Sequence, residues 1–248
     1  MSNGLVDIGK RISAGKLGWR PIILLLVARF VLALALQPLL AFTLFSPSPD
    51  PWTEAGRFWP VWLVAIDLAT FLLLIAACRR EGMAFADLFG FTRRLFVRDL
   101  VIGAVLTVIF LPLTQFGGAF SADLFYEGAP PPAPPPLPFW AFAFALTFGA
   151  LSAAVAESAL YAGFALPRIE AMTGSPLAAL GLVVAYWMLQ QIVLPLDPEP
   201  AAVGTRFFAP MLVAIAAALA YLRLRRLLPI IIGLGAAHAA QAWLAQGL

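Results

Sequence analysis

The sequence predicts an all-α fold, a polytopic transmembrane helix bundle of about seven spans. Three observations carry this. Of 248 residues, 62% are hydrophobic and only 12% charged, whereas a soluble domain carries about 25% charged residues. The apolar residues are gathered into runs of near-spanning length. The basic residues lie almost entirely between alternate runs. A soluble enzyme, a nucleic-acid binder and a disordered chain are excluded by this composition. The net charge of +3 therefore reports orientation in a bilayer rather than a nucleic-acid partner.

In chain order, residues 1–20 form a basic amino-terminal segment, and 21–248 form one transmembrane helical domain. Apolar runs fall at 21–45, 59–78, 100–118, 138–167, 177–195, 207–222 and 229–245. A span needs about 20 residues, so the fourth is long and the last two are short. The first far exceeds the roughly 7–15 apolar residues of a cleavable signal and reads as a retained anchor. Residues 129–138, APPPAPPPLP, suit a stiff polyproline II spacer. The segment 79–99 is basic and aromatic-rich, suited, like the first 20 residues, to anionic headgroups.

Orientation follows from the cations. Lys10, Arg11, Lys16 and Arg20 precede the first run, and Arg79, Arg80, Arg93, Arg94 and Arg98 lie between the second and third. Arg168 follows the fourth, and Arg223, Arg225 and Arg226 follow the sixth, so 13 of the 16 basic residues fall on one side. Arg57 and Arg206 lie on the other, with Asp50, Glu54, Asp123, Glu127, Asp197 and Glu199. The positive-inside rule then places the amino terminus in the cytoplasm, the chain in the cell (inner) membrane, and the end of a seventh span outside.

Ionisable groups inside spans are costly and need partners or a function. There are four: Arg29, Asp67, Glu157 and His238. Arg29 can snorkel to the headgroups, and Asp67 can pair with Arg29 or accept hydrogen bonds from a neighbouring helix. Glu157 lies among Gly149, Ala150, Ser152, Ala153, Ala154, Ala156, Ser158, Ala159, Ala162 and Gly163. His238 lies among Gly233, Gly235, Ala236, Ala237, Ala239 and Ala240. Small residues mark close helix packing. Glu157 is 11 residues from Arg168 and His238 nine from Pro229, so both sit roughly 14–17 Å from one membrane boundary at about 1.5 Å per residue. They can therefore meet, with Gln190 and Gln191 of the fifth run as a third polar element. This cluster either holds a water or locks the bundle together.

Other chemistries fit poorly. Catalytic zinc takes three protein ligands, and the chain has one His and one Cys; Cys78 also excludes an intrachain disulfide. Ser158 points about 100° around the helix from Glu157, so it does not pair with a His opposite that residue.

Residues 156–170, AESALYAGFALPRIE, resemble the first signature, EExxxRG and an apolar stretch, of the CAAX-protease and bacteriocin-processing family of glutamic intramembrane proteases. Residues 219–238, LAYLRLRRLLPIIIGLGAAH, resemble that family's closing helix, basic turn and His-bearing helix. The DLFGFTRR and RDL pattern within 85–102 is similar to the region before its catalytic helices. In the family, the first Glu and the His of FxxxH activate a water, while HxxxN/D supports the oxyanion. The resemblance puts Glu157 at the first Glu, with Ser158 at the second and Ala162 at the Arg. Trp187 and Gln191 fall at FxxxH, or Tyr186 and Gln190 if the register slips. His238 falls at the last His, with Ala242 at its partner position and Gln241 beside it.

The resemblance implies an intramembrane endopeptidase with Glu157, His238 and Gln191 at the catalytic positions and Trp187, Tyr161 and Gln241 against the substrate. No metal or cofactor is implied. The partners are the lipid bilayer and a membrane-embedded or lipidated peptide or protein. The departures cut against the chemistry: Gln cannot exchange a proton with the attacking water, which forfeits roughly 10²–10⁴ in rate, and a lost oxyanion donor forfeits about 10²–10³. The alternative is a noncatalytic member that binds membrane peptides or proteins in the old cavity, as a chaperone, immunity or regulatory partner. A transporter is a third reading, weakened because no internal repeat is visible.

Overall fold

A computed structural model describes residues 3–15, 17–129 and 135–244. Residues 130–134 of the proline-rich stretch, Lys16 and the end of the last apolar run lie outside these. The described residues hold no strand, and 82% of the structure is helix. Helices α1 (Asn3–Ser13), α2 (Trp19–Phe42), α3 (Pro51–Arg57) and α4 (Trp59–Arg80) lead into two 3₁₀ turns, Phe85–Phe89 and Arg93–Leu95. Then follow α5 (Phe96–Tyr126), α6 (Phe139–Thr173), α7 (Pro176–Gln191), α8 (Pro200–Phe208), α9 (Met211–Leu224) and α10 (Leu228–Leu244).

Five segments are long and apolar enough to cross a membrane: α2, α4, the segment ending in α5, α6, and α8 with α9. Two shorter apolar helices, α7 and α10, complete the bundle. The chain is an all-α polytopic membrane bundle. Its boundaries refine those expected. The third apolar run extends past 118 because α5 continues as helix to Tyr126. The sixth is interrupted between Phe208 and Met211, where Pro210 supplies no N–H to a continuous ladder.

Helix α6 departs most from regularity. It turns π-helical over Ala145–Gly149 and again over Ser158–Ala165. Pro167, near the second stretch, has no N–H for the ladder and its ring crowds the preceding turn. The ladder widens in the turns before it, as π segments do at such interruptions. Small residues make the approach of neighbours feasible. A Cβ on Gly163 would lie 2.7 Å from Leu227, and one on Gly233 of α10 would lie 2.9 Å from Phe110 of α5. With almost no hydrophobic driving force between helices in lipid, this close packing supplies much of the cohesion.

Two sets of polar contacts tie the ends. At the basic end, Glu81 accepts from Arg168 Nε at 2.8 Å, Arg168 Nη2 at 2.6 Å and Arg11 Nη1 at 3.1 Å. One carboxylate thereby joins α1, α4 and α6, and the Arg168 guanidinium stacks 3.7 Å from the Phe164 ring centroid. Arg226 pairs with Asp99, and Arg225 donates to Glu170 at 2.9 Å. Arg168 and Arg226, counted among the cations of this end, are thus engaged inside the protein. Both are buried because a carboxylate meets each. At the other end, Asp50 caps α3 by accepting from the Thr53 N–H, and the Thr53 side chain together with that N–H holds its carboxyl below the usual range. Gln37 clamps the turn after α7, donating to the Leu196 carbonyl at 3.0 Å and accepting its N–H at 2.7 Å.

Two substitutions test this packing. Glu81→Leu strands the buried Arg168 and should cost about 3–5 kcal/mol, read as lost thermal stability of the detergent-solubilised protein. Gly117→Ala should cost about 1–3 kcal/mol by overpacking, because its Cβ would lie 2.1 Å from the Ala209 carbonyl oxygen, and backbone cannot yield as a side chain can.

Candidate functional site

The site is assembled from five helices around one carboxylate. Glu157 ends the regular part of α6 just before its second π stretch, with only 2% of its surface exposed. Its Oε1 accepts from Gln190 Nε2 at 2.9 Å and Gln191 Nε2 at 3.4 Å, both from α7. Its Oε2 accepts from Trp187 Nε1 at 3.2 Å and lies 3.2 Å from His238 Nε2 of α10. The equal depth expected for Glu157 and His238 is realised as direct contact.

Arg29 of α2 and Asp67 of α4 form the other half. Arg29 Nη1 donates to Asp67 Oδ1 at 2.5 Å, and Ser152 of α6 donates to Asp67 Oδ2 at 2.7 Å. Arg29 Nη2 lies 3.6 Å from Glu157 Oε1. Both expectations for Asp67 are met at once, the pairing with Arg29 and a hydrogen bond from a neighbouring helix. The expectation that Arg29 snorkels is corrected: its side chain is wholly buried, because Asp67 and Glu157 hold it inside the bundle. An isolated charge at that depth would cost several kcal/mol, so the ion pair and the hydroxyl beside it are what make the position tenable.

A cavity of about 330 Å³ opens against this cluster. Glu157, Trp187, Gln191, His238 and Gln241 line its polar part, while Phe142, Leu194, Val213 and Leu234 form apolar wall. Arg57 and Arg206 also face it. Arg57 pairs with Glu54 at 3.1 Å and Arg206 with Asp197 at 3.3 Å, so neither is a free cation.

The residues singled out from sequence therefore divide. Glu157, His238, Gln191, Trp187 and Gln241 reach the cavity. Tyr161, expected against the substrate, does not: it is fully buried, stacks on Trp187 with ring centroids 4.9 Å apart, and donates to Gln190 Oε1 at 2.9 Å. Its role is to orient the amide that binds Glu157. The two glutamines differ in exposure: Gln190 is fully buried in the network while Gln191 faces the cavity. Ser152, Arg57 and Arg206 went unrecognised. The signal for Ser152 was present, since it lies five residues before Glu157 among small residues. That spacing does not reveal a carboxylate on another helix. Compared with known proteins, the chain matches no family model, no curated sequence and no solved structure.

Arg29→Met leaves Asp67 buried without its cation and should cost about 3–5 kcal/mol. Adding Asp67→Leu should recover much of that loss, and a double-mutant cycle on thermal stability in detergent should return a large coupling. Additive effects would place the two outside one network.

Proposed function

We propose that the chain is a multi-pass protein of the cell (inner) membrane, amino terminus cytoplasmic, whose cavity binds a membrane-embedded or lipidated peptide or protein without cutting it. In this reading it is a noncatalytic relative of the CAAX-type intramembrane endopeptidases that its sequence resembles. The observation that carries the proposal is the saturation of Glu157. A carboxylate offers about four lone-pair positions; side-chain N–H groups of Trp187, Gln190 and Gln191 converge on three of them, and the His238 ring nitrogen lies 3.2 Å away at a fourth. A general base must offer a lone pair to the water it deprotonates.

The cavity suits binding. Its walls are apolar, while Gln191, Gln241 and His238 supply amide and imidazole groups that pair with peptide N–H and C=O groups on the buried side. Few polar groups within a mainly apolar pocket is the usual composition of a recognition site. One contact favours the peptidase reading instead: His238 lies against Glu157 at 3.2 Å while its ring remains partly open to the cavity.

Peptide-terminus mass spectrometry on cell membranes separates the two, comparing wild type with Glu157→Gln at matched abundance. Identical terminus profiles are expected, and membrane-protein termini that vanish with the substitution would establish a peptidase. The binding arm uses a photo-crosslinking residue at Val213 on the cavity wall. Adducts to a membrane peptide are expected, and Ala242→Trp, which fills the cavity, should abolish them. Adducts unchanged by that substitution would refute the binding reading.

A further inference from the structure

We infer a binding site for an anionic phospholipid where the second 3₁₀ turn enters α5, with Arg93, Arg94 and Arg98 on the headgroup phosphate and the valine face of α5 along an acyl chain. This site is distinct from the cavity and does not depend on the function proposed for it.

The basic end of the bundle sorts its charges. Arg11, Arg168, Arg225 and Arg226 are taken up by Glu81, Glu170 and Asp99. Asp87 is exposed but caps its own 3₁₀ turn, its Oδ2 accepting the Ala84 N–H at 2.8 Å. Arg93, Arg94 and Arg98 are exposed, and among the described residues no carboxylate pairs with them. Asp99, the carboxylate nearest in sequence, is buried against Arg226. Three guanidinium groups within six residues form a concentrated positive patch. Guanidinium forks match phosphate oxygens in geometry as well as charge.

The neighbouring surface is what fixes the partner as a lipid rather than a soluble anion. Phe91 and Phe96 flank the arginines, are both exposed, and meet edge to face with centroids 6.1 Å apart. Aromatic rings of this kind settle at the level of the headgroups. Below them Val97, Val101, Val105 and Val108 lie at helical spacing on α5, and all four are exposed, Val97 at 71% and Val108 at 73%. Spacings of four, four and three residues put them on one face of the helix. That face begins beside the arginines and runs toward the middle of the membrane, as an acyl chain does below its phosphate.

An arginine near an anionic membrane surface is worth about fivefold in affinity, so three together are worth about a hundredfold. The test is native mass spectrometry of the purified full chain titrated with dioleoyl phosphatidylglycerol or dioleoyl phosphatidylcholine. Wild type should retain the phosphatidylglycerol in preference. R93Q/R94Q/R98Q should lose that preference by about a hundredfold and R98Q alone by about fivefold. R79Q/R80Q removes two other exposed cations of the same end and should keep it. Unchanged phosphatidylglycerol retention in the triple variant would overturn the site, as would an equal loss in R79Q/R80Q, which would assign the effect to the general field of the basic end.

Discussion

A carboxylate placed in the middle of a membrane must be neutralised or surrounded by donors, and Glu157 meets that requirement with groups from three other helices. The indole of Trp187 and the amides of Gln190 and Gln191 come from α7, the imidazole from α10, and the Arg29 guanidinium from α2. Each donor in turn needs its own support. Tyr161 holds Gln190, while Asp67, anchored by Ser152, holds Arg29. The geometry of the bundle core is therefore specified by a polar network as much as by apolar packing. Apolar side chains gain little in moving from lipid to another helix, whereas an unpaired polar group has no water to turn to.

The same constraint acts at the basic end in a second form. Glu81 collects Arg168 and Arg11, so the amino-terminal helix, the end of α4 and the end of α6 share one carboxylate. Arg168 sits beyond the π-helical stretch that follows Glu157, so this contact anchors the site-bearing helix past that irregularity. Between these polar knots the contacts are made by small residues. Gly163 against Leu227 and Gly233 against Phe110 leave no room for a side chain. Small-residue seams bring the helices close enough for the short side chains of the network to touch.

The cavity lies where the network meets the apolar wall, and this boundary shapes what the protein can do. A buried carboxylate encircled by donors is a rigid acceptor, well suited to hold an imidazole and two amides in fixed orientation. Of these the imidazole and the Gln191 amide reach the cavity, beside apolar walls. Under the proposed binding function such rigidity helps, because little side-chain freedom remains to be lost on binding.

Sequence alone determined the class of the molecule and the depth of its polar groups. Composition, run length and the alternation of cations dictate a membrane bundle, because bilayer thickness sets span length and lipid tolerates few charges. The matched depths of Glu157 and His238 were legible because a helix advances by a fixed rise per residue. Tertiary structure decided the partners. Arg29 could have reached the headgroups, and only the position of α4 and α6 beside it turns it inward to Asp67 and Glu157. Arg168 reads as a loop cation until Glu81, 87 positions away in the chain, is brought against it. Tyr161 points to Gln190 rather than to the cavity for the same reason. Periodicity along one helix fixes how far a residue lies into the membrane, but the azimuth at which it meets another helix is set by how the helices pack together.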